Sequence, residues 1–185
     1  ETPEAPRGPE TLDEMIARFT VDLGAYQSSR YARRYQDFVT RIRTAEAAAV
    51  PGEERLSRAV ARQFYRLMAY KDEYEVARLY SDGEFLKKLQ ARFSGNYKLR
   101  FHLAPPLLSR TNPVTGHLIK REFPAWTMHL FGLLARFKFL RGGPLDIFGY
   151  TAERRQERRD IEDFSAELEQ LLDGLKDNNY PIAVQ

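Results

Sequence analysis

The sequence predicts a mainly α-helical fold with a small inserted β-hairpin. Three observations carry that expectation. Apolar residues recur at spacings of three and four over most of the 185-residue chain, as one face of a helix requires. Between Tyr97 and Leu103 the spacing falls to two, the period of a half-buried strand. The pattern changes where proline, glycine and asparagine cluster, and those residues punctuate secondary structure.

The elements follow in order. Thr11 and Glu14 form a capping box at a helix start. Leu12, Ile16, Phe19, Leu23 and Tyr26, then Tyr35, Phe38, Val39 and Ile42, extend one stripe, so a helix is expected from residue 11 to about residue 48. Gly24 and Ser28-Ser29 are the places where it can bend, and Pro51-Gly52 closes it. A second helix is expected from Glu53 to about Tyr80, with Leu56, Val60, Phe64 and Leu67 as its stripe. Extended, that stripe reaches Lys71, Tyr74 and Arg78, which places charge on a core-facing line. Ser81-Asp82-Gly83 breaks the helix, and residues 84–93 form a short third one on Phe85, Leu86, Leu89 and Phe93.

Tyr97, Leu99, Phe101 and Leu103 alternate with Lys98, Arg100 and His102, and Pro105-Pro106 ends that strand. Asn112-Pro113 and Gly116 mark a turn, and residues 117–123 read as the returning strand. Pro124 suits the first turn of a helix. That helix carries Trp126, Leu130, Leu133, Leu134, Phe137 and Leu140; apolar on most sides, it is expected at the centre of the fold. After a loop from Arg141 to Tyr150, Thr151 is the expected N-cap of a long final helix. Its stripe is Ile161, Phe164, Leu168, Leu171, Leu172 and Leu175, and Asp177-Asn178-Asn179 ends it.

Residues 1–10 read as a linker, 11–180 as a single helical domain, and 181–185 as the start of a following segment cut short. The chain thus reads as a piece of a longer polypeptide. It holds no cysteine, which excludes disulfides, thiolate metal sites, iron–sulfur ligation and a cysteine nucleophile, and fits a cytoplasmic protein. No apolar run approaches the ~20 residues of a membrane-spanning helix. The 29 basic residues are nearly matched by 26 acidic ones, for a net charge of +3. That mixture argues against nucleic acid as a partner.

Several clusters are candidates for chemistry. In LRGGPLDIFGYTAERRQERR, residues 140–159, Gly142-Gly143 can let backbone amides approach an anion. A helix start at Thr151 adds free amides, and Arg141, Arg154 and Arg155 add guanidinium forks. The stretch has neither the dinucleotide glycine spacing nor a phosphate loop ending in Gly-Lys-Ser/Thr, and no strand precedes it. The other reading is a turn before a solvated helix. Lys71, Glu75 and Arg78 lie on one helical line, with Asp72 and Glu73 adjacent, as an anion or substrate site, a buried ion-pair network, or an interface with another domain. His102 and His117 approach each other if the hairpin pairs them, but with His129 they have no metal-ligand spacing. YQSSRYARRY, residues 26–35, mixes tyrosine and arginine. It reads either as a stacking platform for bases or as tyrosines covering a neighbouring helix. No nucleophile elbow occurs.

Three segments together, RLMAYKDEYEVARLY at 66–80, FHLAPPLL at 101–108 and LRGGPLDIFGYTAERRQER at 140–158, resemble one family. They look like the uncharacterised C-terminal region of the long, fused indolepyruvate:ferredoxin oxidoreductases, over residues 11–185. The resemblance implies a parent enzyme that oxidatively decarboxylates aryl 2-oxoacids to acyl-coenzyme A. Such a parent uses thiamine diphosphate and iron–sulfur clusters and reduces ferredoxin. Those cofactors bind elsewhere in the parent, and no catalytic residue of the family maps onto this chain. Where the family's loop reads Arg-Gly-Thr, this chain has Arg141-Gly142-Gly143, without the hydroxyl. The expected role is therefore structural, packing against other domains of the same polypeptide in a homo-oligomer. The alternatives are a module that docks coenzyme A or ferredoxin through Arg141, Gly142, Gly143, Thr151, Arg154 and Arg155, with Lys71, Glu75, Arg78 and His102 as further contacts, or a basic helical module for nucleic acid.

Overall fold

A computed structural model describes residues 9–95, 98–103 and 121–184. It is mainly helical, with one antiparallel pair of strands. The chain divides into two compact units: the residues up to Tyr70 together with those from Ala152, and residues 71–151. The residues expected as one domain, 11–180, thus hold two cores.

The first unit contains α1 (Leu12–Tyr26), α2 (Ser29–Ala49), α3 (Arg55–Met68), α7 (Ala152–Asp173) and the single turn α8 (Tyr180–Ala183). The capping box is present, with Thr11 and Glu14 bonded reciprocally. The expected helix over 11–48 is broken, because Gln27 leaves helical geometry and Ser28 caps a fresh start by accepting from the amide of Tyr31. The stripe reads through the break, so Leu23, Tyr35, Val39 and Ile42 all reach the same core. Phe164, Leu168, Leu171 and Leu172 of α7, and Leu175 just beyond its end, pack against it. Tyr180 is buried in this unit as well, so the last described segment belongs to its fold.

The tyrosines of residues 26–35 face inward. The hydroxyls of Tyr26, Tyr31 and Tyr35 donate to the carbonyls of Tyr70, Met68 and Ala61 at 2.9, 3.0 and 3.1 Å. Their rings cover a neighbouring helix and its C-terminal carbonyls, and burial raises the phenol of Tyr35 well above its ordinary range.

The second unit contains α4 (Glu73–Ser81), α5 (Glu84–Arg92), β1 (Arg100–Leu103), β2 (Arg121–Pro124), α6 (Thr127–Arg136) and a 3-10 turn (Phe137–Leu140). The helix expected over 53–80 is in fact α3 and α4, separated at Asp72. Asp72 is extended and accepts from the amide of Glu75 at 2.8 Å, capping α4. A continuous-helix reading missed it because the apolar spacing runs through the gap. Lys71 therefore precedes α4 and does not share a helical line with Glu75 and Arg78.

In the hairpin, His102 stands opposite Glu122. That register does not pair it with His117, which lies outside the described residues. Pro124 ends β2 and does not open the next helix. A proline has no amide to give a ladder, and a strand end tolerates that. Ala77, Phe101 and Phe131 form the small core, with Tyr80, Phe85 and Phe123 against it. The rings of Tyr80, Phe85, Phe101 and Phe131 lie 4.9–6.3 Å apart at their centroids, within the range of favourable aromatic pairs.

Candidate functional site

The loop 141–150 is organised around its own carboxylate. Asp146, buried, accepts from the amides of Gly142 at 2.8 Å, Phe148 at 3.2 Å and Gly149 at 3.0 Å. The hydroxyl of Tyr74 also donates to it, at 3.2 Å. The amide of Gly143 donates to the carbonyl of Leu140 at 2.8 Å. The amides that could approach a phosphate thus surround a side chain of the loop itself. Asp146 takes the place that a bound anion has in a phosphate loop.

Arg141 is held in the same way. Its guanidinium makes two bonds to Asp72, at 2.5 and 2.8 Å, with side-chain exposures of 2% and 4%. It also lies over the ring of Tyr74, 5.6 Å from the centroid, a cation–π geometry. Asp72 therefore caps α4 and neutralises Arg141 with one carboxylate. Burial, then the neighbouring Asp146, pushes the phenol of Tyr74 up to about 12, so it stays a hydrogen-bond donor.

Glu75 and Arg78 form a bidentate pair at 2.8 and 2.7 Å on α4, and Asp82 lies 3.9 Å from Arg78. Lys138 is part of this neighbourhood. Burial, then the positive charges of Arg78 and Arg141, lowers its ammonium below the ordinary lysine range. Lys71 is exposed. His102 is exposed on β1, and no group of three or more potential metal ligands exists among the described residues. Thr151 immediately precedes α7. In the other unit, Arg154 pairs with Glu157 at 2.6 Å and lies over Tyr70, while Arg155 is exposed. The sequence-predicted arginines thus fall in two units, and Arg141 has a buried partner in its own.

Two glycines make the loop testable. Gly142 has φ +73°, a region costly for any residue with a Cβ. At Gly143 a Cβ would come within 3.0 Å of the Leu140 carbonyl oxygen. Gly142→Ala is expected to lower stability by about 1–2 kcal/mol. Gly132→Ala, in α6 with open space around the added carbon, is expected to raise it by up to about 1 kcal/mol. Thermal unfolding followed by circular dichroism checks both; equal shifts at the two positions would count against this account of the loop.

The second feature of this unit is the outer face of α6. The sequence places this helix at the centre, yet only Thr127 and Phe131 are buried. Trp126, Leu130, Leu133 and Phe137 are 60%, 50%, 53% and 42% exposed. Beside them a groove of about 550 Å³ is lined by Ser81, Leu86, Met128, His129, Leu133 and Arg136. Large apolar side chains exposed together mark an interaction surface.

A family model described as a family of unknown function, DUF6537, matches residues 12–185. The chain belongs to the DUF6537 family. The match covers both units of this DUF6537 member, the loop and the α6 face included. No curated protein and no solved structure matches the chain.

Of the residues of this loop and its partners, the sequence singles out Arg141, Gly142 and Gly143, places Asp72 and Tyr74 only with the charged line of the second helix, and gives no role to Asp146. A signal for Asp146 exists: an aspartate three residues after a glycine pair can turn back onto its own loop amides. Asp72 had a signal as well, an aspartate three residues before Glu75 with polar residues on both sides. In the first unit the missed residue is Glu46, buried near the end of α2. It accepts from the amides of Leu56 and Ser57 at 2.8 and 2.9 Å, and from the hydroxyls of Ser57 and Tyr180.

Proposed function

We propose that this DUF6537 chain is a non-catalytic structural region of an indolepyruvate:ferredoxin oxidoreductase, packing against other domains of the same polypeptide in the cytoplasm. The observation that supports this reading is the α6 face, where Trp126, Leu130, Leu133 and Phe137 stand exposed together. A surface of that kind suits contact with another folded region. The resemblance of residues 66–80, 101–108 and 140–158 supplies the parent enzyme. Thiamine diphosphate, the iron–sulfur clusters and coenzyme A belong to its other regions in this reading. The coenzyme A-docking alternative would use Arg141, whose guanidinium is engaged by Asp72. No helix among the described residues is long and apolar enough to cross a membrane.

The test is to mix the purified chain with the remainder of the parent polypeptide, produced separately, and to follow complex formation by analytical ultracentrifugation. A complex is expected that Leu130→Asp weakens at least tenfold. If the chain by itself oxidises indolepyruvate with ferredoxin, the proposal is wrong.

A further inference from the structure

We infer that the outer face of α6 receives an amphipathic helix whose flanks are acidic. The inference rests on reading that face as an interaction surface, and it names the chemistry of the occupant. Trp126, Leu130, Leu133 and Phe137 follow one another at spacings of four, three and four. That is the alternation of a coiled-coil seam, which one further helix fills with its own apolar side chains. Trp126 and Phe137 are the caps of α6, so the seam runs its full length.

Charge selects the occupant. His129 and Arg136, seven residues apart, flank the seam on one side and line the groove. They stand two turns apart, roughly 10 Å along the axis. Among the described residues neither side chain makes an ion pair or hydrogen bond. On the other flank Thr127 is buried and Leu134 packs against the core of the unit, so they face inward. A helix lying in the seam therefore meets the guanidinium of Arg136 on that border, with the imidazole of His129 as a polar neighbour, and acidic residues there complement the arginine.

A second copy of the same face does not. Laid antiparallel, it sets the flank of Arg136 against the same flank of the other copy, which offers the arginine no acidic partner. Laid parallel, it sets that flank against one turned into the fold. A lipid surface is also a poorer fit. Leu133, His129 and Arg136 share with Ser81 and Leu86 the lining of a groove of about 550 Å³ beside the seam. Helix-in-groove recognition fills such space with side chains.

The test uses two fluorescein-labelled helical peptides of identical length. Both carry leucine at the seam positions. One carries glutamate at the flanking positions, the other lysine. Anisotropy titrations with the whole chain should show the glutamate peptide bound at least tenfold more tightly, with the difference shrinking in high salt. Leu133→Asp, at a half-exposed position, should weaken that binding at least tenfold. Arg136→Glu, a surface change, should reverse the order of the two peptides. The inference is overturned if the peptides bind equally, if neither binds, or if Leu133→Asp leaves glutamate-peptide binding intact. It is overturned too if the chain binds phosphatidylserine vesicles, or self-associates, in a way that Leu133→Asp abolishes. A chain that joins the rest of the parent polypeptide but binds neither peptide overturns this inference alone.

Discussion

Replacing Arg141 by methionine is expected to destabilise the second unit by about 3–5 kcal/mol, the usual cost of stripping one partner from a buried ion pair. The side chain of Asp72 is 4% exposed and accepts two guanidinium bonds. Without Arg141 its charge keeps only the amide of Glu75, and the cation over Tyr74 is lost. Methionine fills much of the volume, so the loss reflects charge and not a cavity. Adding Asp72→Asn to Arg141→Met should recover part of the loss, because the second change removes the uncompensated charge while leaving a capping oxygen. Trp126, the only tryptophan of the chain, lies in the same unit and reports its unfolding in urea. A loss below about 1 kcal/mol for Arg141→Met, typical of a surface pair, would show that the ion pair is not sealed from water.

The second large effect is expected at Glu46. The N-cap residue of α3, Glu54, makes no side-chain cap bond, and Glu46 supplies the cap from the end of α2. It accepts from the second and third amides of α3 and places a negative charge at the positive end of the helix dipole. Glu46→Ala leaves those donors and the hydroxyl of Tyr180 without an acceptor. A loss of about 3 kcal/mol is expected, since each buried unsatisfied group costs about 1–3 kcal/mol.

The pH dependence follows from the same bonds. Burial works against the charge of Glu46, but the hydrogen bonds from Ser57, Tyr180 and the amide of Leu56 outweigh it. They hold the carboxyl below its ordinary value of 4.5. A carboxyl depressed in the folded state stabilises above its unfolded pKa, and that stabilisation fades as the pH falls through the folded one. The stability gap between the native chain and Glu46→Gln should therefore be constant above pH ~5 and shrink below pH ~4.5. Urea unfolding at pH 7, 5 and 3.5, followed by far-ultraviolet circular dichroism, measures it. A gap unchanged at pH 3.5 would show that folding leaves the carboxyl of Glu46 unshifted.

Both residues show where the sequence could be read and where it could not. Helix faces were legible because Leu23, Val39, Ile42, Val60, Phe64 and Ile161 obey a local period and all reach one core. The breaks at residues 27–28 and 69–72 were not, because the apolar spacing passes through them. What stops the helix is a polar side chain competing for its amides, Ser28 in one case and Asp72 in the other. The position of α6 is not legible in the sequence for a related reason. Apolar residues on many sides of a helix predict burial, yet Trp126, Leu130, Leu133 and Phe137 stand exposed, and composition alone does not tell the two apart. The glycine loop was visible as a motif, but its occupant was not. Asp146 lies only four residues from Gly142, and Asp72, the partner of Arg141, sixty-nine residues away. The first was within reach of a local reading; the second required the fold.

Asp146 also fixes how the loop presents its edge. Leu145 and Ile147, on either side of it, are well exposed, while the backbone between Gly142 and Gly149 is tied to the one carboxylate that separates them. Ordering flexible side chains and loops on association costs about 0.5–1.5 kcal/mol for each group immobilised. At this edge the backbone is already ordered before any encounter. Two apolar side chains held on a pinned backbone can meet a complementary hollow with little further loss of chain entropy.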